Sequence, residues 1–237
     1  EVTPHSMTGR LLRRLTNDGL TWASLGEVYD AFEFPDGFRL DFPNHPEKFR
    51  ENLIEAFPAE TKAIDAYLEE VREVAAAMKR YYLARLTPTR VGAVAERLLA
   101  GKARKYLTTR TKDVVDKLTD DPKLRTVLTA QWGYYGSTPS RSSFAIQALV
   151  TKHFMWGGYY PEGGAKQIAR HMLQTVADAG GWTRIRASVE EILVERGRAV
   201  GVRLKGGEEI RAPKVVSAAG IMATVRRLLP AKEQAAD

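Results

Sequence analysis

The sequence predicts an α+β protein in two parts, a mostly helical domain over residues 1–155 and a smaller mixed domain over residues 156–237. Three observations support this prediction. Apolar and polar residues alternate on both sides of Pro35-Asp36-Gly37, which is typical of a β-hairpin. Residues 46–155 carry apolar side chains at helical spacing. After Tyr160, glycine pairs separate a helical pattern from alternating, strand-like segments.

The elements of the first domain are marked mainly by proline and glycine. A short helical pattern ends at Asn17-Asp18-Gly19, and the hairpin around Pro35-Asp36-Gly37 follows it. Pro46 and Pro58 each suit the start of a helix, because proline lacks the N–H that a first turn leaves unpaired. Pro88 ends the second of these helices, because proline removes a hydrogen bond from a helix interior.

Two further helices complete the predicted first domain. Asp121 is a good N-cap residue, and Pro122 suits the first helical position behind it. We expect this helix to run to Trp132. Another helix is expected from Pro139 to His153, so the first domain is predicted to be almost entirely helical after its hairpin.

The second domain is predicted to alternate between a helix and strands. A helix is expected over about residues 164–179, where Gly180-Gly181 ends it. Thr183 to Arg186 is predicted to be a short strand. A three-stranded meander is expected next, over residues 189–195, 199–204 and 208–211. Lys214 to Ser217 is predicted to be an apolar strand that leads into Ala218-Ala219-Gly220, and a last helix follows.

The composition limits the possible functions. The chain has no cysteine, which excludes disulfides and thiolate metal sites, and no two of its 4 histidines have metal-ligand spacing. No apolar run approaches the roughly 20 residues that span a bilayer. The first residues lack the basic and apolar regions of a signal peptide. We therefore expect a cytoplasmic protein without a metal site.

Positive charge is concentrated between Lys79 and Lys112. This segment holds ten basic residues and one acidic residue, Glu96, and its net charge of +9 exceeds the +7 of the whole chain. Aromatic and aliphatic residues interleave with the charges, including Tyr81, Tyr82, Leu83, Leu86, Val91, Val94, Leu98, Leu99 and Tyr106. Such a segment suits peripheral contact with an anionic membrane, and a solvated helical face is the other interpretation. No nucleic-acid-binding module accompanies the charge, so no nucleic-acid partner is expected.

The order of elements after Tyr160 resembles a flavin-binding domain of the type with two dinucleotide-binding domains. The residues resemble the FAD-dependent phytoene desaturase, carotenoid isomerase and retinol saturase family over about residues 156–230. The matching stretches are Tyr160-Pro161-Glu162-Gly163-Gly164, Gly180-Gly181, Val189-Glu190-Glu191-Ile192, Gly201-Val202-Arg203-Leu204 and Val215-Val216-Ser217-Ala218-Ala219-Gly220. No Gly-x-Gly-x-x-Gly follows a strand, so the resemblance implies only part of a Rossmann-like FAD domain, over residues 156–237.

The resemblance implies FAD as the cofactor and assigns three groups of residues to it. In this family a valine that matches Val189 offers backbone hydrogen bonds to the adenine. The small residues Ala218, Ala219 and Gly220 end a predicted strand, where a cofactor can approach the backbone. Gly163-Gly164 lies at a junction near the isoalloxazine ring in such proteins, before an electropositive helix start. Each group also has a structural alternative. Val189 would be a buried strand residue, Ala218-Ala219-Gly220 would pack a helix against the sheet, and Gly163-Gly164 would be an interdomain hinge before a helix.

Aromatic residues crowd two places and predict flat apolar walls for a long polyene or another lipid. The predicted substrate-binding residues are Trp132, Tyr134, Tyr135, His153, Trp156, Tyr159 and Tyr160. Ordinary core packing is the alternative for the aromatic residues. His153 is a candidate proton donor near the flavin, with a structural role as the alternative. The sequence assigns no catalytic residue.

The resemblance implies an FAD-dependent oxidoreductase that acts on carbon–carbon bonds of a lipophilic, carotenoid- or retinoid-like isoprenoid. Two alternatives stay open. An amine-oxidase-like flavoenzyme shares the architecture, and an acidic or aromatic cage for a cation would favour it. A cofactor-free module that binds lipid or a partner is favoured by the missing phosphate-binding glycines.

Overall fold

The computed structural model describes residues 2–3, 5–86 and 101–234, without the side chain of Leu86. The chain divides into two compact units, Glu1–Thr175 and Val176–Asp237. The α+β class is confirmed, because helices occur together with small antiparallel sheets. The units divide within a helix rather than before Trp156, and the assignment of residues 156–237 to a flavin-binding domain stays a prediction.

Helices make up most of the first unit. They are α1 (Met7–Leu15), α2 (Pro46–Ala56), α3 (Thr61–Leu86), α4 (Gly101–Thr108), α5 (Thr111–Leu118), α6 (Pro122–Thr129), α7 (Phe144–Phe154) and α8 (Lys166–Asp178), and α8 ends in the second unit. Short 3-10 turns occupy Pro58–Glu60 and Ala130–Tyr134. The predicted N-cap of α6 is confirmed, since the Asp121 carboxylate accepts hydrogen bonds of 2.8 Å from the backbone N–H groups of Lys123 and Leu124.

The last long helix before Tyr159 starts later than the sequence predicts. It begins at Phe144 rather than at Pro139. The N–H groups of Arg141 and Ser142 donate to the carbonyl of Thr138, each at 2.9 Å, so these residues form a separate turn. A proline marks a possible helix start, but this competing turn delays the helix.

α3 provides the centre of the first unit's core. Its Ile64, Tyr67, Val71 and Val74 are almost fully buried, and α3 packs against α2, α4, α5 and α7. Full burial of an aliphatic side chain such as Ile64, Val71 or Val74 contributes about 1.5–3 kcal/mol. The helical stripe predicted from the sequence is therefore the element around which the others assemble.

Two small sheets complete the first unit. The predicted hairpin is confirmed, with β2 (Val28–Glu33) antiparallel to β3 (Arg39–Pro43). A second pair was not predicted: β1 (Trp22–Ser24) lies antiparallel to β4 (Tyr159–Pro161). This pair fixes the segment around Tyr160, which carries much of the family resemblance, beside the amino-terminal part of the chain.

The second unit is built on the predicted meander, which is confirmed. β5 (Val189–Glu195), β6 (Arg198–Leu204) and β7 (Glu209–Arg211) lie in order as an antiparallel sheet. The turn between β5 and β6 has positive φ at both Arg196 and Gly197, which is the backbone of a tight hairpin turn that matches strand twist. A helical segment follows, with α9 (Ile221–Ala223) continuing into a π-helical turn, Thr224–Leu228, and a 3-10 turn at Ala231–Glu233.

Two predicted strands are wrong. Neither Thr183 to Arg186 nor Lys214 to Ser217 is a strand. Arg186 has a φ of 56°, which is incompatible with extended backbone. Val216 is 94% exposed, and no described residue pairs with its segment. A strand needs a neighbour for its N–H and C=O groups, and these residues do not build the predicted parallel sheet with each other.

Among the residues that the structure describes, none of the helices combines the length and the apolar character needed to cross a membrane.

Candidate functional site

A stack of three aromatic rings joins the hairpin to α7 and to the turn before it. The Phe154 ring lies 5.6 Å from that of Tyr29, nearly parallel to it, and 4.7 Å from that of Tyr134. We call Tyr29, Tyr134 and Phe154 the Phe154 cluster. Such ring pairs contribute about 0.5–1.5 kcal/mol beyond their area burial. The cluster forms because β2 and the Ala130–Tyr134 turn both reach the carboxyl end of α7.

Polar partners hold the two phenols of the Phe154 cluster. Gln131 Nε2 donates to the Tyr29 hydroxyl at 2.8 Å, and the Tyr134 hydroxyl donates to the Asp30 carboxylate. Burial raises the pKa of Tyr29 above its ordinary value. Burial, together with the bond to Asp30, raises the pKa of Tyr134. Both phenols therefore stay neutral near pH 7, and the cluster presents uncharged rings.

The other two aromatics of the first predicted group lie elsewhere. The Tyr135 hydroxyl donates to Gln147 Oε1 at 2.7 Å, inside a buried polar network. Trp132 lines a groove of about 630 Å³ together with Phe32, Phe34 and Val115. The structure thus separates residues that the sequence places side by side, and the substrate role of Trp132 and Tyr135 stays a prediction.

The second predicted aromatic group is spread over the end of α7 and β4. Trp156 is 43% exposed, its ring lies 6.0 Å from that of His45, and Lys152 Nζ lies 5.9 Å from its centroid. Tyr160 lies opposite Ala23 in the β1–β4 pair and is exposed, while its neighbour Tyr159 is half-buried.

His153 lies beside the Phe154 cluster. Its ring is 5.2 Å from that of Phe154 in an edge-to-face arrangement. Partial burial lowers the pKa of His153, because desolvation disfavours the charged imidazolium. The side chain is therefore neutral at pH 7, and a role as proton donor stays a prediction.

Gly163-Gly164 forms an open turn before α8. Both residues have positive φ, 78° and 93°, a conformation that favours glycine. The Gly164 N–H donates to the Pro161 carbonyl at 3.0 Å. A Cβ at Gly164 would meet no atom within 4 Å, whereas one at Gly163 would lie 2.8 Å from Gln167 Nε2. The backbone at Gly164 is thus open to a flat ligand.

The remaining predicted cofactor residues lie in the second unit. Val189 begins β5 opposite Leu204. Ala218 and Ala219 are exposed. Gly220 has a φ of 90° and no atom within 4 Å of a built Cβ. Ala219 and Gly220 line an open hollow of about 480 Å³ that also contacts Arg226 and Arg227, and β5 contacts the Thr224–Leu228 turn behind it.

Comparison with known proteins identifies the family. A family model described as flavin containing amine oxidoreductase matches residues 21–236, which is most of the chain. The chain belongs to the flavin-containing amine oxidoreductase family. The resemblance to FAD-dependent proteins seen in the sequence is therefore confirmed, and it extends through both units.

Among curated proteins, the chain is similar to retinol reductases and to a carotene desaturase. The chain is 35% identical over 243 residues to an all-trans-retinol 13,14-reductase from Danio rerio, covering 97% of this chain and 40% of that protein. It is 33% identical to the Homo sapiens protein of the same name, covering 93% and 38%. It is 27% identical to an all-trans-zeta-carotene desaturase from Myxococcus xanthus, covering 87% and 39%. The chain thus spans about two fifths of the length of these relatives.

The described residues fit FAD in part. Open backbone at Gly164 and Gly220 leaves room for a flat or bulky group, and small side chains lie next to Gly220. The chain has no Gly-x-Gly-x-x-Gly, so the pyrophosphate finds none of the backbone donors of that motif here. Among the described residues, no group of histidine, aspartate and glutamate has a metal-binding arrangement.

Sequence reasoning missed the residues that organise the Phe154 cluster. Tyr29 lies within the predicted hairpin, and neither Asp30 nor Gln131 carried a signal in the sequence. Their partners lie more than a hundred positions away in the chain, since Gln131 contacts Tyr29 and Tyr134 contacts Asp30. The aromatic character of β2 was the available signal, but no local pattern indicates which distant residues it meets.

Proposed function

We propose that this chain contributes the substrate region and part of a Rossmann-like flavin region to an FAD-dependent oxidoreductase. Its reaction would act on carbon–carbon bonds of a lipophilic isoprenoid, carotenoid- or retinoid-like. One observation carries the proposal: similarity to a retinol reductase extends over 97% of the chain. The relatives' names include a reductase and a desaturase, so we assign no direction of electron flow.

Six residues would contact the cofactor. They are Gly163, Gly164, Val189, Ala218, Ala219 and Gly220. When bound, FAD supplies hydride transfer, the difficult part of the chemistry. The protein's contribution is binding: Val189 lies in β5, an edge strand of its sheet, and side-chain-free backbone at the glycines allows close approach.

The aromatic residues would orient the substrate and exclude water. A hydrocarbon offers nothing for an ion pair, so flat apolar surfaces are the groups that hold it. Tyr134 supports this role, because Phe154 and Asp30 fix its ring and its neutral phenol. Trp132, Tyr135, His153, Trp156, Tyr159 and Tyr160 are proposed to contribute further contacts around it.

A second candidate substrate class has one observation in its favour. Asp30 places a carboxylate beside Tyr134 and near Tyr29. An acid among aromatic rings attracts a cation, and the matching family model is named for amine oxidoreduction. An amine substrate is therefore the alternative that experiments must compare with the polyene.

The test is binding and turnover with matched ligands. Purified chain is titrated with FAD and followed by flavin fluorescence, and it is then offered all-trans-retinol, a carotene or an aliphatic amine. We expect FAD binding that Gly220→Val weakens at least about tenfold through lost backbone access, whereas Gly206→Val, also at positive φ with open space around it, does not. We also expect loading with a polyene but not with the amine.

Two outcomes contradict the proposal. A chain that binds neither FAD nor a polyene supports the cofactor-free interpretation. A flavin-loaded chain that oxidises the amine and ignores the polyene supports the amine-oxidase-like alternative, and Asp30→Asn then removes amine binding.

We also propose peripheral contact with an anionic membrane through the segment from Lys79 to Lys112. Residues 87–100 of this segment, including Arg90, Arg97 and Glu96, lie outside the described residues. A membrane-dissolved substrate gives such contact a purpose, because the ligand then reaches the protein without crossing water.

A further inference from the structure

The last two turns of α3 expose apolar side chains although the helix is otherwise a core element. Met78 and Ala84 are 1% and 4% exposed and face the core, whereas Tyr82 and Leu83 are 52% and 54% exposed. We call residues 79–85 the α3 end. Tyr81, between the two buried positions, is partly buried and packs against the core, whereas its neighbours Tyr82 and Leu83 are exposed. An aromatic and an aliphatic side chain thus lie together on the surface.

The α3 end is also purely basic. Lys79, Arg80 and Arg85 are all exposed, and no acidic residue lies among residues 79–85. Arg85 lies over the Tyr81 ring and donates to its hydroxyl at 3.2 Å. Within the described residues, neither Lys79 nor Arg80 forms an ion pair.

Several cations in the described remainder of the basic segment are ion-paired. Three of its cations, one in α4 and two at or in α5, form ion pairs with acidic residues: Lys102 with Glu73, Arg110 with Asp113 and Lys112 with Asp116. The Lys112 bond lowers the pKa of Asp116, so that partner keeps its charge to lower pH. Lys79 and Arg80 of the α3 end are thus described cations of the segment that stand outside these ion pairs.

We propose that the α3 end is a docking surface for an anionic phospholipid membrane. Tyr82 and Leu83 enter the headgroup level, and Lys79, Arg80 and Arg85 contact the lipid phosphates. Exposed apolar residues next to cations on one helix are typical of interfacial binding, and each cation near an anionic surface adds about fivefold in affinity. The proposal refines the membrane contact suggested with the proposed function, but docking requires neither flavin nor polyene.

One other exposed surface competes for the same partner. α1 exposes Met7, Leu11 and Leu15 along one face, at 76%, 56% and 41%, and it carries three arginines. One of these, Arg13, is ion-paired with Asp18 at 2.5 Å. The α1 face lacks an aromatic residue and keeps an acid nearby, so it matches an anionic interface less well. It also provides a matched control.

The experiment measures binding of the purified chain to phosphatidylcholine vesicles with and without phosphatidylserine, in the absence of flavin and polyene. The cation variant is K79Q/R80Q/R85Q, and K48Q/K62Q/K166Q removes the same charge from exposed positions elsewhere. The apolar variant is Y82S/L83S, and L11S/L15S is its control on α1. All ten substituted residues are exposed, and circular dichroism verifies that each variant keeps the native helix content.

We expect binding to anionic vesicles alone, weakened by salt. The cation variant should lose about a hundredfold in affinity and its charge control less than about tenfold. Y82S/L83S should also lose binding while L11S/L15S keeps it. Equal binding to both vesicle types, equal losses in variant and control, or loss in the α1 pair alone would each overturn the proposal. If the chain docks on anionic vesicles but binds neither FAD nor a polyene, the docking proposal holds and the proposed function fails.

Discussion

At the scale of single residues, a buried polar network organises the core of the first unit. Gln147 is fully buried, and its Nε2 donates to the Leu128 carbonyl at 3.0 Å and lies 3.2 Å from the hydroxyls of Tyr67 and Thr151. Its Oε1 accepts from Tyr135. Among the described residues, every buried side-chain nitrogen and oxygen has a partner. The network links α3, α6 and α7 through groups that would be costly to leave unpaired.

A double-mutant cycle on Tyr135 and Gln147 tests this network. Tyr135→Phe should lower the free energy of unfolding by about 1 kcal/mol, and Gln147→Leu should lower it by about 2 kcal/mol because several partners lose a hydrogen bond. The double variant should lose about 1 kcal/mol less than the sum, since both changes delete the same bond. Tyr160→Phe, the same change at an exposed position, should have almost no effect in urea denaturation. Strict additivity would show that the two residues act independently.

At the scale of elements, the sequence correctly predicted the features that depend on residues close together in the chain. The Pro35-Asp36-Gly37 turn, the Asp121 cap and the meander around Gly197 are all confirmed, because turn and cap residues act on their own neighbours. The β1–β4 pair was missed, because its strands are short and far apart in the chain. The strand predicted at Thr183 to Arg186 is wrong, because β-branched residues alone do not supply a pairing partner.

The same limit applies to the candidate site. The sequence indicated Tyr134 as a wall residue and Gly164 and Gly220 as open backbone, and the structure gives these glycines positive φ and free space. It did not indicate Asp30 or Gln131, whose role depends on distant contacts. Residue type thus predicts the chemistry of a position, while the fold decides its neighbours.

Gly201 provides a test of the meander as an element. It is buried in β6, and a Cβ there would collide with the Ile210 carbonyl of β7 and lie 3.0 Å from Arg211 Cα. Gly201→Ala should therefore cost about 3 kcal/mol of the second unit's stability. Gly206→Ala, at a φ of 105° with open space, should cost about 1 kcal/mol from backbone strain alone. Amide exchange at Leu193 measures both, and equal costs would contradict the steric explanation.

At the scale of the whole molecule, the two units differ in how completely they bury their apolar residues. The first has a continuous core around α3. In the second, Ile192, Leu193 and Leu204 are buried, but Ile185 and Val216 are 80% and 94% exposed. Both exposed residues lie in segments that the family resemblance assigns to a parallel sheet. These segments have the sequence pattern of a strand but do not form one in the structure.

Amide exchange distinguishes a formed strand from an unpaired segment in the second unit. No described residue accepts a hydrogen bond from the backbone N–H groups of Lys214 to Ser217, so these amides should exchange within about tenfold of an unstructured peptide. Ile192 and Val202 are paired in the meander and should exchange at least about a hundredfold more slowly. Protection of Val215 and Val216 equal to that of Ile192 would mean that the predicted strand forms after all. Because a strand without a neighbour leaves its polar backbone groups to water, we expect the protection to stop at β7.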